Sequence, residues 1–336
     1  MYYEFFGLRN PPFRITPDTQ LFYSGGQRAA TLDALEYAVV NGEGITKVVG
    51  EVGSGKTMLL RMLATKLADV VQLVYFPNPK IAPENILHAL AFEVGLDIDP
   101  QSDRLYVMRV LHEYLLKKHS ENKPVVILIE EAQSIPLETL EEIRLLSNLE
   151  TQHHKLLQIV LFGQPELDVH LAAPHVRQIK ERITNSFNLK PLEKRDINDY
   201  LMFRLGLSGY NGSNVFTPAA IKMLSYFSKG LMRRINILAD KAMLAAFSKN
   251  TRCVSVSHVW AAAKDSDFGN SLVRIRITMI AILILLLLAA TAGTVFINSK
   301  YKMQQSELSS LFQNTSDTAV ANAKTNSDSI PNKNSK

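Results

Sequence analysis

The residues Gly50-Glu51-Val52-Gly53-Ser54-Gly55-Lys56-Thr57 fit the spacing G-x-x-x-x-G-K-[ST]. That spacing suits a phosphate chain. Glycines let the backbone wrap an anion, and successive N–H groups running into a helix start at Met58 make a positive concavity. Lys56 can reach the β- and γ-phosphates, and Thr57 can offer a hydroxyl to Mg²⁺. Further on, Glu130-Glu131 closes an apolar run, Pro124 to Ile129. The first acid would hold Mg²⁺ directly or through water, and the second would orient and deprotonate an attacking water. Gln164 ends another apolar run, where it is either a γ-phosphate sensor or a plain turn residue. Together these residues could bind ATP with Mg²⁺ and hydrolyse it.

The chemistry requires elements that bring the three stretches together. Ile45–Val49 is short and β-branched, a buried strand leading into the glycines. Met58–Ala64 has helical composition. Further strands are predicted at Val70–Phe76, Pro124–Ile129, Lys155–Phe162 and Asn185–Leu189. Helices are predicted at Gln27–Asn41, Pro83–Val94, Asp103–His119, Ser134–Glu150 and, carrying Arg177, Lys180 and Arg182, His175–Ile183. The Asp103–His119 helix is given a stripe of Leu105, Met108, Val110, Leu111, Leu115 and Leu116. Beyond Pro191 the strands stop, and Leu192–Phe203, Pro218–Phe227, Leu231–Phe247 and Ser257–Ala263 read as helices, with Thr217 and Ser255 or Ser257 as caps. The aromatics Phe5, Phe6, Phe13, Phe22 and Tyr23 suit core packing or a place beside a nucleotide base. His153 and His154 read as solvated, and Cys253 as a small apolar filler.

Composition adds a membrane. The 336 residues carry a net charge of +5, but residues 299–336 contribute +2 and Arg274 with Arg276 another +2, leaving +1 for residues 1–273. The basic balance therefore flanks a membrane segment more than it marks a nucleic-acid footprint, and no nucleic acid is expected as partner. Residues 277–297 carry no charge and would span about 31 Å as a helix, the thickness of a bilayer core. The tail beyond is rich in Ser, Asn, Thr and Lys and reads as disordered. The first residues lack a cationic stretch and a cleavage site, so no signal peptide is expected. ATP is cytoplasmic, which places residues 1–276 there and the tail across the membrane. Lys264, Arg274 and Arg276 on one side, against Lys300 and Lys302 on the other, agree weakly.

Alternating strands and helices, the phosphate loop, the acidic strand end and the later helices resemble the AAA+ ATPases. Within them the chain resembles the ExeA/GspA secretion ATPases. That resemblance rests on Phe6-Gly7-Leu8, Pro12-Phe13, Thr16-Pro17-Asp18, the phosphate loop, Glu131-Ala132-Gln133, Gly163-Gln164-Pro165-Glu166-Leu167, Arg182-Ile183-Thr184 and Arg233-Arg234-Ile235-Asn236. Asn41-Gly42-Glu43-Gly44 and Phe76-Pro77-Asn78-Pro79 favour the MshM-type branch of mannose-sensitive haemagglutinin pilus biogenesis.

The resemblance implies an α/β fold, a parallel sheet with helices on both faces, followed by a helical lid and one transmembrane helix. Its boundaries would be 1–190 for the ATPase core with an N-terminal extension, 191–266 for the lid, 277–297 for the membrane helix and 298–336 for a periplasmic tail. It implies that Arg182 is an arginine finger toward a neighbouring subunit, with Arg177 as fallback, and that Arg233 is the lid's sensor. It also implies a homo-oligomer at the bacterial inner membrane, serving type IV pilus or type II secretion assembly proteins. Two departures stand out. Glu130 replaces the family's usual Asp, and the peptidoglycan-binding domain of the long members has no counterpart in the short tail. An exopolysaccharide or exosortase-linked export ATPase and a DNA-binding ATPase regulator are the alternatives.

Overall fold

The short β-branched and apolar runs pair into one sheet. Strands β1 (Ile45–Val49), β2 (Gln72–Phe76), β3 (Val125–Ile129), β4 (Leu157–Gly163) and β5 (Ile183–Asn188) are all parallel, in the order β2-β3-β4-β1-β5. Strands β3 and β4 are buried along their whole length, as runs without polar alternation require. The computed structural model describes residues 2–266 apart from 43, 78, 174 and 175, together with residue 268 and scattered positions between 282 and 300.

Helices cover both faces. In chain order they are α1 (Tyr2–Phe5), α2 (Arg28–Val40), α3 (Lys56–Leu67), α4 (Ile86–Glu93), α5 (Arg104–Ser120), α6 (Leu137–Leu146), α7 (Glu166–Leu171) and α8 (Arg177–Glu181). Strand side chains alternate between the faces. Val48, Val126, Val160 and Phe162 meet Leu32 and Leu35 of α2 and Leu59 and Leu63 of α3. On the other face, Val74, Ile127 and Ile159 meet Leu87 of α4, Leu111 of α5 and Ile143 of α6.

Local chemistry sets several boundaries apart from those expected. Val70 and Val71 both donate to the Leu67 carbonyl and close α3, so β2 begins two residues later than expected. Pro136 is extended and caps α6, which starts at Leu137 instead of Ser134. The stripe of α5 needs correction. Val107, Leu111 and Leu115, four residues apart, are its buried face, whereas Leu105 is 82% exposed and Leu116 is also exposed. Asp103 caps α5 through the Tyr106 N–H, which fixes the rotation of the first turn.

After β5 the chain is helical through α9 (Lys194–Leu207), α10 (Pro218–Ser228), α11 (Met232–Ser248) and α12 (Val256–Asp265). Thr217 caps α10, accepting from the Ala220 N–H at 3.2 Å, with Pro218 in the first turn. Thr217→Ala should therefore cost about 1 kcal/mol of stability, read as a lowered denaturation midpoint. Of the N-terminal aromatics Phe6, Phe13 and Tyr23 are buried, and Phe5 and Phe22 are half-buried. Phe13 meets Phe216, Tyr23 meets Tyr200 and Phe203, and Phe5 meets Phe247. Buried Arg204 ties the same segment down, donating to the carbonyls of Pro12 at 2.9 Å and Arg14 at 3.0 Å and to the Tyr200 hydroxyl at 3.0 Å. Cys253 is exposed, not a filler, because neighbouring Val254 takes the buried place.

Among the described residues, no helix is long and apolar enough to cross a membrane. The expected membrane helix at 277–297 and the tail at 298–336 lie largely outside the described residues.

Candidate active site

The strand order β3-β4-β1 sets three strand ends side by side at the carboxyl edge of the sheet, where ligands of such sheets bind. β1 runs into the phosphate loop, β3 into Glu130-Glu131 and β4 into Gln164. The loop depends on backbone that only glycine adopts easily: Gly53 has φ +81° and Gly55 φ +103°. Lys56 opens α3, and its ammonium donates to the carbonyls of Gly50 at 2.7 Å and Glu51 at 3.1 Å. Burial pushes its pKa below the ordinary value, opposed by Glu131, Glu130, Glu51 and Glu166. The site thus holds a desolvated cation ringed by acids.

The two acids have different partners. Glu130 is buried, and its carboxylate accepts from the Thr57 hydroxyl on Oε1 and from the Tyr75 hydroxyl at 2.6 Å on Oε2. Burial first, and then that bond, pushes the Tyr75 phenol up to about 12, so it stays a donor at neutral pH. Glu131 Oε2 instead accepts from Gln133 Nε2 at 2.6 Å and from Gln164 Nε2 at 3.0 Å, while Gln164 N–H donates to Gln133 Oε1 at 3.0 Å. Glu131 has φ +54°, a left-handed conformation costing a non-glycine residue about 1 kcal/mol. Ser134 holds it there, donating both its N–H and its hydroxyl to the Glu131 carbonyl at 2.8 Å.

A cavity of about 470 Å³ lies against Lys56, Thr57, Glu131 and Gln164. Lys56, Thr57, Met58, Glu131 and Gln164 form one side, with Val52, Gly53 and Gly55 from the loop. Ile15, Pro17 and Leu21 give an apolar wall, and Met232, Arg233 and Asn236 of α11 another. Contact with the loop is close: the Arg233 N–H donates to the Gly53 carbonyl at 3.2 Å, and a Cβ on Gly53 would lie 2.7 Å from the Arg233 Cβ. Oxygen donors at Thr57 and Glu130 fit Mg²⁺, which takes few protein ligands and relies on phosphates and water for the rest. The same residues offer nothing for a softer metal, and no group of three or more His, Cys, Asp or Glu could hold one among the described residues.

Residues 40–171 match the family model of an AAA domain. The general secretion pathway protein A of Aeromonas hydrophila is 36% identical over 263 residues, which cover 78% of this chain and 48% of that protein. The chain belongs to the ExeA/GspA-type AAA+ ATPases. It spans about half the length of that relative. Among solved structures, the ORC2 protein of Aeropyrum pernix superposes with a TM-score of 0.53 at 18% identity, over 74% of this chain and 71% of that one. Cdc6p of Pyrobaculum aerophilum gives 0.55 at 16% identity, with coverage of 74% and 71%. At such identities the likeness concerns the fold alone, a parallel sheet carrying a phosphate loop.

In this AAA+ chain the predicted residues divide by position. The phosphate loop, Glu131, Gln164 and Arg233 line one cavity and Glu130 joins it through the Thr57 hydroxyl, while Arg182 is exposed at the end of α8 and lines no part of the cavity. Arg177, its fallback, is exposed and pairs with Glu181 at 3.3 Å. Sequence reasoning missed Tyr75 and Gln133, one on a strand and one on a turn, whose hydroxyl and amide only the fold aims at the acids. It also missed Arg28, which is 2% exposed and donates to the Ser54 carbonyl at 3.2 Å behind the loop. A signal for Arg28 existed: it falls on the same stripe of α2 as Leu32 and Leu35, where a cation needs a reason to be.

Proposed function

We propose that this chain is an ATPase anchored in the bacterial inner membrane that assists assembly of a type IV pilus or type II secretion apparatus. The observation that carries the catalytic half is Glu131, held by Gln133 and Gln164 at the mouth of a loop that presents Lys56. The 36% identity to a general secretion pathway protein supports the cellular half.

In this reading Lys56 releases the Gly50 and Glu51 carbonyls and takes the β- and γ-phosphates, while the loop N–H groups hold the rest of the chain. Thr57 and Glu130 would hold Mg²⁺, whose chemistry when bound is to offset charge on the phosphate oxygens. Glu131 accepts the proton of the attacking water, and the Gln164 amide orients that water while keeping the carboxylate in place. Arg233 closes over the phosphates from α11. Arg182, exposed and away from its own cavity, reaches the nucleotide of a second copy in a homo-oligomer. Ile15, Pro17 and Leu21 give the base an apolar surface.

The test has two parts. Purified full-length chain should release phosphate from ATP, and a deletion strain should lose pili or secretion and recover with the wild-type gene but not with Lys56→Ala. Recovery with both would remove ATP binding from the function. For topology, alkaline phosphatase fused after Lys302 should be active and after Lys264 inactive, and the reverse would place the ATPase away from its fuel.

A further inference from the structure

We propose that Tyr75 is a positioning residue that fits Glu130 to the metal side of the site, a role that rests on the nucleotide-site reading above. A glutamate carries one more rotatable bond than an aspartate, so its carboxylate can swing by about an ångström, enough to spoil a metal ligand's placement. Here both oxygens are spoken for. Oε1 accepts from the Thr57 hydroxyl and Oε2 from the Tyr75 hydroxyl at 2.6 Å. Two donors from two elements, α3 and β2, fix both the direction and the plane of the carboxylate.

The fold explains why Tyr75 can do this. β2 pairs with β3 in a register that sets Tyr75 beside Leu128 and Phe76 beside Ile129, so Tyr75 lies close to the strand end that carries Glu130. Val74 and Phe76 are buried on the α4–α5 face, and alternation turns Tyr75 to the opposite face, the one α3 covers. Packing does not require a tyrosine there, since the residue is 40% exposed. Its hydroxyl is the part that has a defined partner, and that partner is the carboxylate.

The test is a titration of the full-length chain with Mn²⁺ in the presence of ADP, following free Mn²⁺ by electron paramagnetic resonance. Tyr75→Phe should weaken Mn²⁺ binding about tenfold, the usual effect of losing a hydrogen bond behind a ligand. ADP affinity measured in EDTA should not change. In a Glu130→Asp background the shorter side chain no longer reaches the phenol, so adding Tyr75→Phe should have no further effect. Equal Mn²⁺ affinity in wild type and Tyr75→Phe would overturn the proposal, as would the same loss in both backgrounds. Failure of the wild type to bind ADP without metal would take down the nucleotide site itself, and Tyr75 with it.

Discussion

Lys56→Ala is expected to lower ATP affinity by at least about a hundredfold, or about 3 kcal/mol, because it deletes the side-chain cation that faces the phosphates. The fold should survive. Lys56 bonds only to carbonyls of its own loop, Gly50 and Glu51, and its burial works against its charge. Since burial lowers the folded value below the ordinary 10.5, the unfolded chain binds this proton more tightly. Stability from this group therefore rises with pH between the lowered folded value and 10.5, and Lys56→Ala should flatten that rise. Binding of a fluorescent ATP analogue checks the first effect and denaturant titrations at several alkaline pH values the second. Unchanged affinity would refute the phosphate-loop reading.

Glu131→Gln should keep ATP binding and slow hydrolysis by about a hundredfold to ten-thousandfold, the range for removing a positioned general base. The geometry makes the substitution informative. Gln133 and Gln164 both aim amide donors at Oε2 of Glu131. A glutamine amide in its place, turned oxygen-first, keeps both bonds and the pocket's shape while losing basicity. Single-turnover phosphate release measures it, beside an affinity that should stay within about threefold, worth less than about 1 kcal/mol. Undiminished turnover would move the base to another group.

Whatever the sequence expressed as a local pattern was legible. The strand that ends in Gly50 and the one that ends in Glu130 could be placed because each is a short apolar run beside its chemistry. Their adjacency to β4 was not, since the strand order is a property of crossovers between segments far apart in the chain. For the same reason Tyr75 looks like one more aromatic in a strand and Gln133 like a turn residue. Leu105 misleads because composition counts it as apolar, while only the cap at Asp103 fixes which way the first turn of α5 faces. Ile15, Pro17 and Leu21 belong to a turn-rich segment, and nothing in their spacing says that they wall a cavity facing Arg233.

That wall has a consequence for the order in which the molecule is made. Arg204 holds the Pro12 and Arg14 carbonyls across 192 and 190 residues, and the Arg233 N–H meets Gly53 from α11. On a ribosome the phosphate loop emerges early, yet its first wall, which Arg61 of α3 holds by donating to the Pro17 carbonyl at 2.8 Å, lacks the Arg204 clamp until α9 follows, and its second wall arrives with α11. A nascent chain stalled just after β5 should therefore hold the glycines, Lys56 and both acids and still retain ATP poorly. Nucleotide capture becomes an event of late synthesis, timed by the helices that close the site.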